Sequence, residues 1–303
     1  MGTGRWGKNL VRVLTTLKQA MLSWIVDPDE QNLAAAHSLA PSARPVTHIK
    51  DTRFDFDAAV IATPAHKHEQ HLLELTALGK HVFVEKPAGL NAPNITRICA
   101  KNTQNRRVLM VGHQLRYHPG FEAVCAMIKA GRIGRVKRIE ATRSALLDLQ
   151  KEPGVLWSLG PHDIAMIIGI LNQLPQHVRC RFSPRNEPFN AVSARISLGF
   201  SGEVEASVTL ESSPNRIRFF RVHGERGRVD FDDSQAFGNV TVHPISGAPY
   251  PLEYPQIEPL KQEMKQFVSC IRHGGSPLTG PEHIETVTEI LAECHRAGLT
   301  PPF

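Results

Sequence analysis

Residues 58–87 read AAVIATPAHKHEQHLLELTALGKHVFVEKP. Two strand-length apolar runs, AAVIATP and HVFVEKP, flank a segment of helical period. That segment places Leu72, Leu75 and Leu78 on one face and stops at Gly79. Both runs are nearly continuous in apolar residues instead of alternating. This marks strands covered on both faces, as in a parallel sheet. Further runs lie on either side, MLSWIVD at 21–27 and RRVLMVGHQ at 106–114. Between the last two runs, NAPNITRICAKNTQ starts on Asn91 as N-cap and carries Ile95, Ile98 and Cys99 inward. Strands and helices at this rhythm predict a doubly wound α/β domain of the Rossmann type.

The amino terminus, MGTGRWGKNL, fits that domain in part. Gly2, Gly4 and Gly7 have the G-x-G-x-x-G spacing of a dinucleotide-binding turn. The helix expected after it runs over Lys8–Lys18, with Leu10, Val11, Val13, Leu14 and Leu17 available for burial, and its first amides would face a pyrophosphate. Asp27 lies twenty residues beyond Gly7 at the end of a predicted strand, where an acid receives adenosine ribose hydroxyls. Its charge repels a 2′-phosphate, which favours NAD over NADP. The bland alternative is a turn-forming Asp before Pro28. The expected cofactor contacts here are Gly2, Gly4, Arg5, Trp6, Gly7 and Asp27. The strand that should precede such a turn is missing, since only Met1 stands before it.

With 303 residues the chain suggests two domains of about 150 residues each. We divide it at 1–112, the dinucleotide-binding part, and 113–303, a substrate-binding and oligomerisation part. In the second part FEAVCAMIKAGRIG reads as a helix and RVKRIEATRS as a strand. LWSLGPHDIAMIIGILNQL reads as loop then helix, and HVRCRFS, AVSARISLGF, GEVEASVTLES, RIRFFRVHG and GRVDFD as successive strands. The expectation is an α+β domain with a large, mostly antiparallel open sheet. Helices cover one face, and the other, with Val192, Ala194 and Ile196 or their alternates, needs a cover.

No run of about 18 apolar residues is evident, so no membrane span is expected. Five scattered cysteines form no C-x-x-C, which makes a reducing cytoplasm the default location. His66, His68 and His71 come near ligand spacing but begin a helix, and no metal site is expected. The net charge of +6 is spread out, densest at Arg132, Arg135, Lys137 and Arg138 and at Arg216, Arg218 and Arg221. No aromatic residues interleave with these cations, which argues against nucleic acid. Solvated strand edges explain them, or a basic surface that attracts an anionic substrate such as a phosphorylated sugar.

VFVEKPAGL, following ATPAHKHEQHLLELTALGKH, closely resembles the glucose–fructose oxidoreductase, inositol dehydrogenase and MocA family. Its members read like A-T-P-x-x-x-H, a helix, then G-K-H-V-x-x-E-K-P. Ala62, Thr63, Pro64, His68, Gly79, Lys80, His81, Glu85, Lys86 and Pro87 match. GHQLRYHPGFEAV and the tail EPLKQEMKQFVSCIRHGGSPLTGPEHIETVTEIL also look familial. The resemblance implies a nicotinamide-dependent oxidoreductase of a sugar, cyclitol or nucleotide sugar, forming homodimers or homotetramers through the second sheet. It adds Thr63, Pro64, His68 and Glu85 to the cofactor set. It puts Lys86 beside the nicotinamide and the reacting hydroxyl, and Arg116 and Tyr117 at the substrate.

The family's acid/base histidine lies in a D-x-x-x-H stretch. Here His162 matches it, Ser158 stands where the aspartate is expected, and Asp163 follows. We place Ser158 and Asp163 near the substrate. Chemically a histidine suits removal of a hydroxyl proton near neutral pH, and a lysine stabilises the developing alkoxide. The rival reading is a dinucleotide- or sugar-binding regulator without turnover, or an N-terminally truncated inactive homologue. The missing strand predicts a gap in the middle of the sheet, and leads to the expectation that Met1 is not the natural start of a working enzyme.

Overall fold

The computed structural model describes residues 1–150, 153–184, 187–235 and 238–299. They form two compact units, Met1–Gly112 with Leu260–Glu285, and His113–Pro259 with Thr286–Phe303. The chain therefore changes unit more than once, where the sequence suggested a single cut at 112.

The first unit holds β1 (Trp24–Val26), β2 (Arg44–Val46), β3 (Ala58–Ile61), β4 (His81–Glu85) and β5 (Leu109–Gly112). Every pairing is parallel, β1 with β2 and β3 with β4 with β5. The helices are α1 (Gly7–Leu14), α2 (Glu30–Leu39), α3 (His68–Ala77) and α4 (Ala92–Gln104), joined by α7 (Pro259–His273) from far along the chain. Val82, Phe83 and Val84 are all fully buried, as a strand covered on both faces requires. Phe267 of α7 packs edge-on against Phe83, at a centroid distance of 5.8 Å. The tail also satisfies β5: Val111 N–H donates to the Thr279 carbonyl and Thr279 Oγ1 donates to the Val111 carbonyl.

α1 is shorter than its apolar period suggested. Thr15 and Thr16 turn their hydroxyls back to the carbonyls of Arg12 and Val13, a competition that favours ending a helix. α2 and β2 were not foreseen, although Asp29 accepts from Asn32 N–H as an ordinary N-cap.

Between β1 and β3 the sheet is split. Met1 and Gly2 alone bridge it: Gly2 N–H donates to Val26 O, the Met1 ammonium to Val60 O, and Ala62 N–H to Met1 O. Beyond them lies a cavity of about 370 Å³, walled by Leu10 and Leu14 of α1 and by Phe267, Val268 and Ile271 of α7. The expected gap in the sheet is thus present. Burial of the Met1 ammonium lowers its pKa from 8.0 to about 6, against the pull of Asp27.

The second unit is an eight-stranded sheet in the order β13-β12-β11-β10-β6-β9-β8-β7. Its strands are β6 (Val136–Ser144), β7 (His177–Ser183), β8 (Ser193–Phe200), β9 (Val204–Glu211), β10 (Ile217–Gly224), β11 (Gly227–Asp232), β12 (Asn239–Pro244) and β13 (Tyr250–Pro251). All pairs are antiparallel except β6 with β9. The helices are α5 (Pro119–Lys129), α6 (Gly154–Leu171) and the later part of α8 (Pro281–Leu299).

Ala194 and Ile196 belong to the buried face with Val208 and Leu210, which corrects the expectation that they need a further cover. The opposite face is polar. On it Arg221 makes two 2.7 Å bonds to Asp230, and His223 lies 2.7 Å from Glu140. α6 is long and apolar enough to cross a membrane by length and mean composition, although Ser158, His162 and Asp163 interrupt its apolar residues. Its residues 154–161 and 163–168 are all buried inside the unit, which accounts for that composition.

Candidate functional site

The glycine turn is built by close approach. Gly2 has φ +77°, and a Cβ there would lie 2.6 Å from the Ala62 carbonyl and the Thr63 nitrogen. A Cβ on Gly7 would lie 2.0 Å from Gly2 O, whereas one on Gly4 would meet nothing within 4 Å. Gly2 and Gly7 therefore close the turn on itself and on the end of β3, and Gly4 leaves room beside it. Asp27 secures the turn from below. Its Oδ2 accepts from the Thr3 amide and hydroxyl, and its Oδ1 accepts from Asp29 N–H. Three of the carboxylate's roughly four acceptor positions are thus used by protein donors.

Trp6 reaches from the turn to β4, where its Nε1–H donates to Glu85 Oε1. Glu85 is buried, which raises its pKa from 4.5 to about 7 against the Trp6 bond and the Lys86 charge. Lys86 follows with its nitrogen 3.2 Å from Glu85 Oε2, and its peptide bond to Pro87 is cis. Two residues at the start of α3 hold this loop. His68 lies with Nδ1 2.7 Å from Pro87 O and Nε2 2.7 Å from Thr63 O. Burial lowers its pKa, so the neutral ring donates one of these bonds and protonation adds the other. Glu69 accepts from the amides of Leu90 and Asn91 and from Asn94 Nδ2.

His68 thus joins the loops after β3 and β4 with both ring nitrogens committed, holding Thr63 and Pro87 in place. Among the described residues Thr63 Oγ1 is buried with no protein partner. Together with the open side of Gly4, that orphan hydroxyl is what a dinucleotide site leaves for its ligand. The residues present fit the cofactor. Arg5 and Pro64 are exposed at the rim.

In the second unit α6 begins at Gly154, so Ser158 is helical and not in a loop. Gly160 makes this possible: without a Cβ it escapes the clash that pushes residues before proline out of the helix. Pro161 leaves the Trp157 carbonyl without its usual helical donor. Ser158 and His162 are one turn apart on one helix face, which is where a D-x-x-x-H pair would meet. His162 is half-buried within a stretch otherwise buried from 154 to 168.

Asp163 points elsewhere. Its oxygens receive Arg143 Nε at 2.8 Å and Nη2 at 3.0 Å, and it has no exposed surface. Arg143 also lies 3.4 Å from Asp233, which Arg218 approaches at 3.5 Å. Burial opposes the Arg143 charge, but the two carboxylates outweigh it and hold its pKa up. This corrects the placement of Asp163 at the substrate: the network uses its carboxylate. The signal was in the sequence. Arg143 shares strand parity with Ile139 and Ala141, and Arg218 with Phe220 and Val222, so both cations had to lie on the buried face.

Replacing Arg143 with Met should cost 3–5 kcal/mol, about the penalty for stranding a buried carboxylate, and denaturant unfolding would measure it. Tyr117 is buried, and Arg116 lies against α6 at Gly169.

Residues 1–113 match the model of the oxidoreductase family with an NAD-binding Rossmann fold, and residues 121–230 match the GFO/IDH/MocA C-terminal domain. The chain belongs to the Gfo/Idh/MocA oxidoreductase family. It is 25% identical over 297 residues to an inositol 2-dehydrogenase of Rhizobium meliloti, covering 90% of this chain and 88% of that one. The aldose-aldose oxidoreductase of Caulobacter crescentus shares the fold at TM-score 0.88 and 18% identity, over 98% of this chain and 96% of the other. The WlbA dehydrogenase of Bordetella pertussis, solved with NADH and UDP-GlcNAcA, does so at TM-score 0.84 and 18% identity, over 98% and 93%.

Proposed function

We propose that this protein transfers hydride between NAD and a hydroxyl-bearing carbon of a sugar, cyclitol or nucleotide sugar. The observation that carries the reading is the hydrogen bond from Trp6, in the glycine turn, to Glu85, the residue before Lys86. It sets the family's lysine beside the dinucleotide loop. NAD would supply the hydride acceptor, held by the turn from Gly2 to Gly7 and by Thr63. Asp27 favours it over NADP, because its negative charge at the end of β1 repels a 2′-phosphate.

Lys86 donates a hydrogen bond to the reacting oxygen and stabilises negative charge as it develops there. His162 takes the hydroxyl proton on oxidation and returns it on reduction. Ser158, one turn before His162, offers a hydrogen bond where a carboxylate would add charge, so His162 is a weaker base than in relatives with aspartate. Inositol and an acidic nucleotide sugar, named for two of the relatives, fit the same chemistry.

The direct test is appearance of reduced cofactor when the purified protein meets NAD and a panel of cyclitols, sugars and nucleotide sugars. NAD and sugar binding with no turnover across the panel would favour a regulator. Ser158→Asp should raise kcat for oxidation about tenfold and move the acidic limb of the pH profile upward, by giving His162 a carboxylate neighbour. A fall in kcat would mean instead that Ser158 itself meets the substrate.

A further inference from the structure

Arg116 lies in the single helical turn Gln114–Tyr117, just after β5. Its guanidinium is pressed into α6 at Gly169, where a Cβ would fall 1.0 Å from Nη1 and 2.1 Å from Cζ. Only glycine admits it. A glycine inside a helix is disfavoured relative to alanine, so this notch has a cost and a matching occupant. Phe121 lies under the guanidinium at 5.7 Å. Among the described residues no carboxylate pairs with it, and its Nε is buried with no acceptor. Burial lowers its pKa, and the groups that raise it are Cys125 and Tyr117, neither an anion at neutral pH. The contrast with Arg143 is sharp: that buried arginine has two carboxylates. A cation half-removed from water with no counter-charge is unfavourable unless an anion completes it.

Its position along α6 says what that anion belongs to. Gly169 is seven residues after His162, two helical turns, so both lie on one face about 10 Å apart. We propose that Arg116, seated in the Gly169 notch, binds a carboxylate or phosphate group of the substrate about one sugar ring away from the hydroxyl served by His162. The substrate is then an acidic or phosphorylated sugar and not a neutral one. This rests on the oxidoreductase reading for the role of His162, but the anion seat itself does not. A planar, always-charged fork suits either anion.

The test is calorimetric titration of the full chain with D-glucuronate, D-glucose 6-phosphate and D-glucose, with NAD present. At least one anionic sugar should bind tenfold or more tightly than D-glucose, and which one does separates a carboxylate from a phosphate. Arg116→Met should remove that preference while the melting temperature stays level or rises, since an unpaired cation has gone. Gly169→Ala should also remove it from the other side of the contact, because the methyl group evicts the guanidinium. Equal binding of charged and neutral sugars by the unaltered protein, or a preference that survives either substitution, overturns the proposal. The two readings fail separately. Anionic sugars that bind but never reduce NAD sink the oxidoreductase reading and leave the seat. Turnover of neutral sugars indifferent to Arg116→Met does the reverse.

Discussion

Joining five or six apolar, β-branched residues to the amino end of Met1 should raise the melting temperature by about 10 °C. The slot between β1 and β3 has the direction and dimensions of one parallel strand. Gly2 already bonds to Val26 and Met1 to Val60 in that sense. By the alternation of a parallel ladder, Trp24 and Ala58 turn backbone groups into the same slot further along. The walls that such side chains would meet are apolar, from α1 and α7. Five buried side chains contribute roughly 1.5–3 kcal/mol each, and ordering the segment returns about 1–2 kcal/mol per residue. The ladder bonds and the lost ammonium tip the balance.

That last contribution has a pH signature. The Met1 ammonium titrates near 6 when folded and near 8 when unfolded. Its folded pKa is lowered, so the unfolded chain binds the extra proton between pH 6 and 8, and stability falls as pH drops through that window. The full penalty, about 3 kcal/mol, is present below pH 6 and absent above pH 8. An amide in place of the ammonium donates to Val60 O at any pH. The advantage of the extended chain should therefore grow by about 2 kcal/mol from pH 8 to pH 6, the rest developing outside that interval. Urea titrations at the two pH values measure it, with an extension of the same length rich in glycine and serine as control. If the apolar and polar extensions melt together, the slot does not take a strand.

How far the sequence disclosed this molecule depends on the kind of information each feature needs. The βαβ unit at 58–87 was legible because its apolar runs, the inward Leu72 and Leu75 and the Gly79 stop are all local, whereas Leu78, read on the same face, lies past the end of α3 and is exposed. So were the glycine turn and the place of Asp27. The return of α7 to the first unit was not, since nothing local to residues 260–285 says that Phe267 will meet Phe83. Ser158 was misplaced in a loop because Pro161 is ordinarily a boundary, and only Gly160 and the buried surface of α6 override it. Asp163 seemed available to the site because adjacency to His162 in sequence looks like adjacency in space. On a helix the next residue points about 100° away, and there Arg143 takes it. The seat of Arg116 depends on a glycine 53 residues later, a pairing that no local pattern contains.

Lys86→Ala should lower the rate of hydride transfer at least 10³-fold and change the NAD dissociation constant by no more than a few fold. The separation follows from what holds each part. The dinucleotide turn is shaped by Gly2 against Ala62 and Thr63, by Gly7 against Gly2, and by Asp27 through Thr3. None of these contacts involves the Lys86 side chain. The loop that presents Lys86 is fixed from elsewhere, by His68 on Pro87, by Glu69 on Leu90 and Asn91, and by Glu85 with Trp6. Removing the side chain therefore leaves these contacts in place and takes the cation away. Loss of one preorganised donor at a developing oxyanion costs about 10²–10³, and loss of a full positive charge costs more.

Lys86→Arg keeps the charge but not its place, because a planar fork cannot occupy the point held by an ammonium; it should recover less than a tenth of the rate. Single-turnover measurements give the hydride-transfer rate, and fluorescence titration of NAD gives the affinity. Glu85→Gln supplies the internal check. It removes a carboxyl that ionises near pH 7 next to the lysine, so its variant should lose whatever dependence the rate shows on that ionisation while Lys86 still works. Unchanged turnover in Lys86→Ala would remove Lys86 from the chemistry, and with it the significance of the Trp6–Glu85 bond for the proposed function.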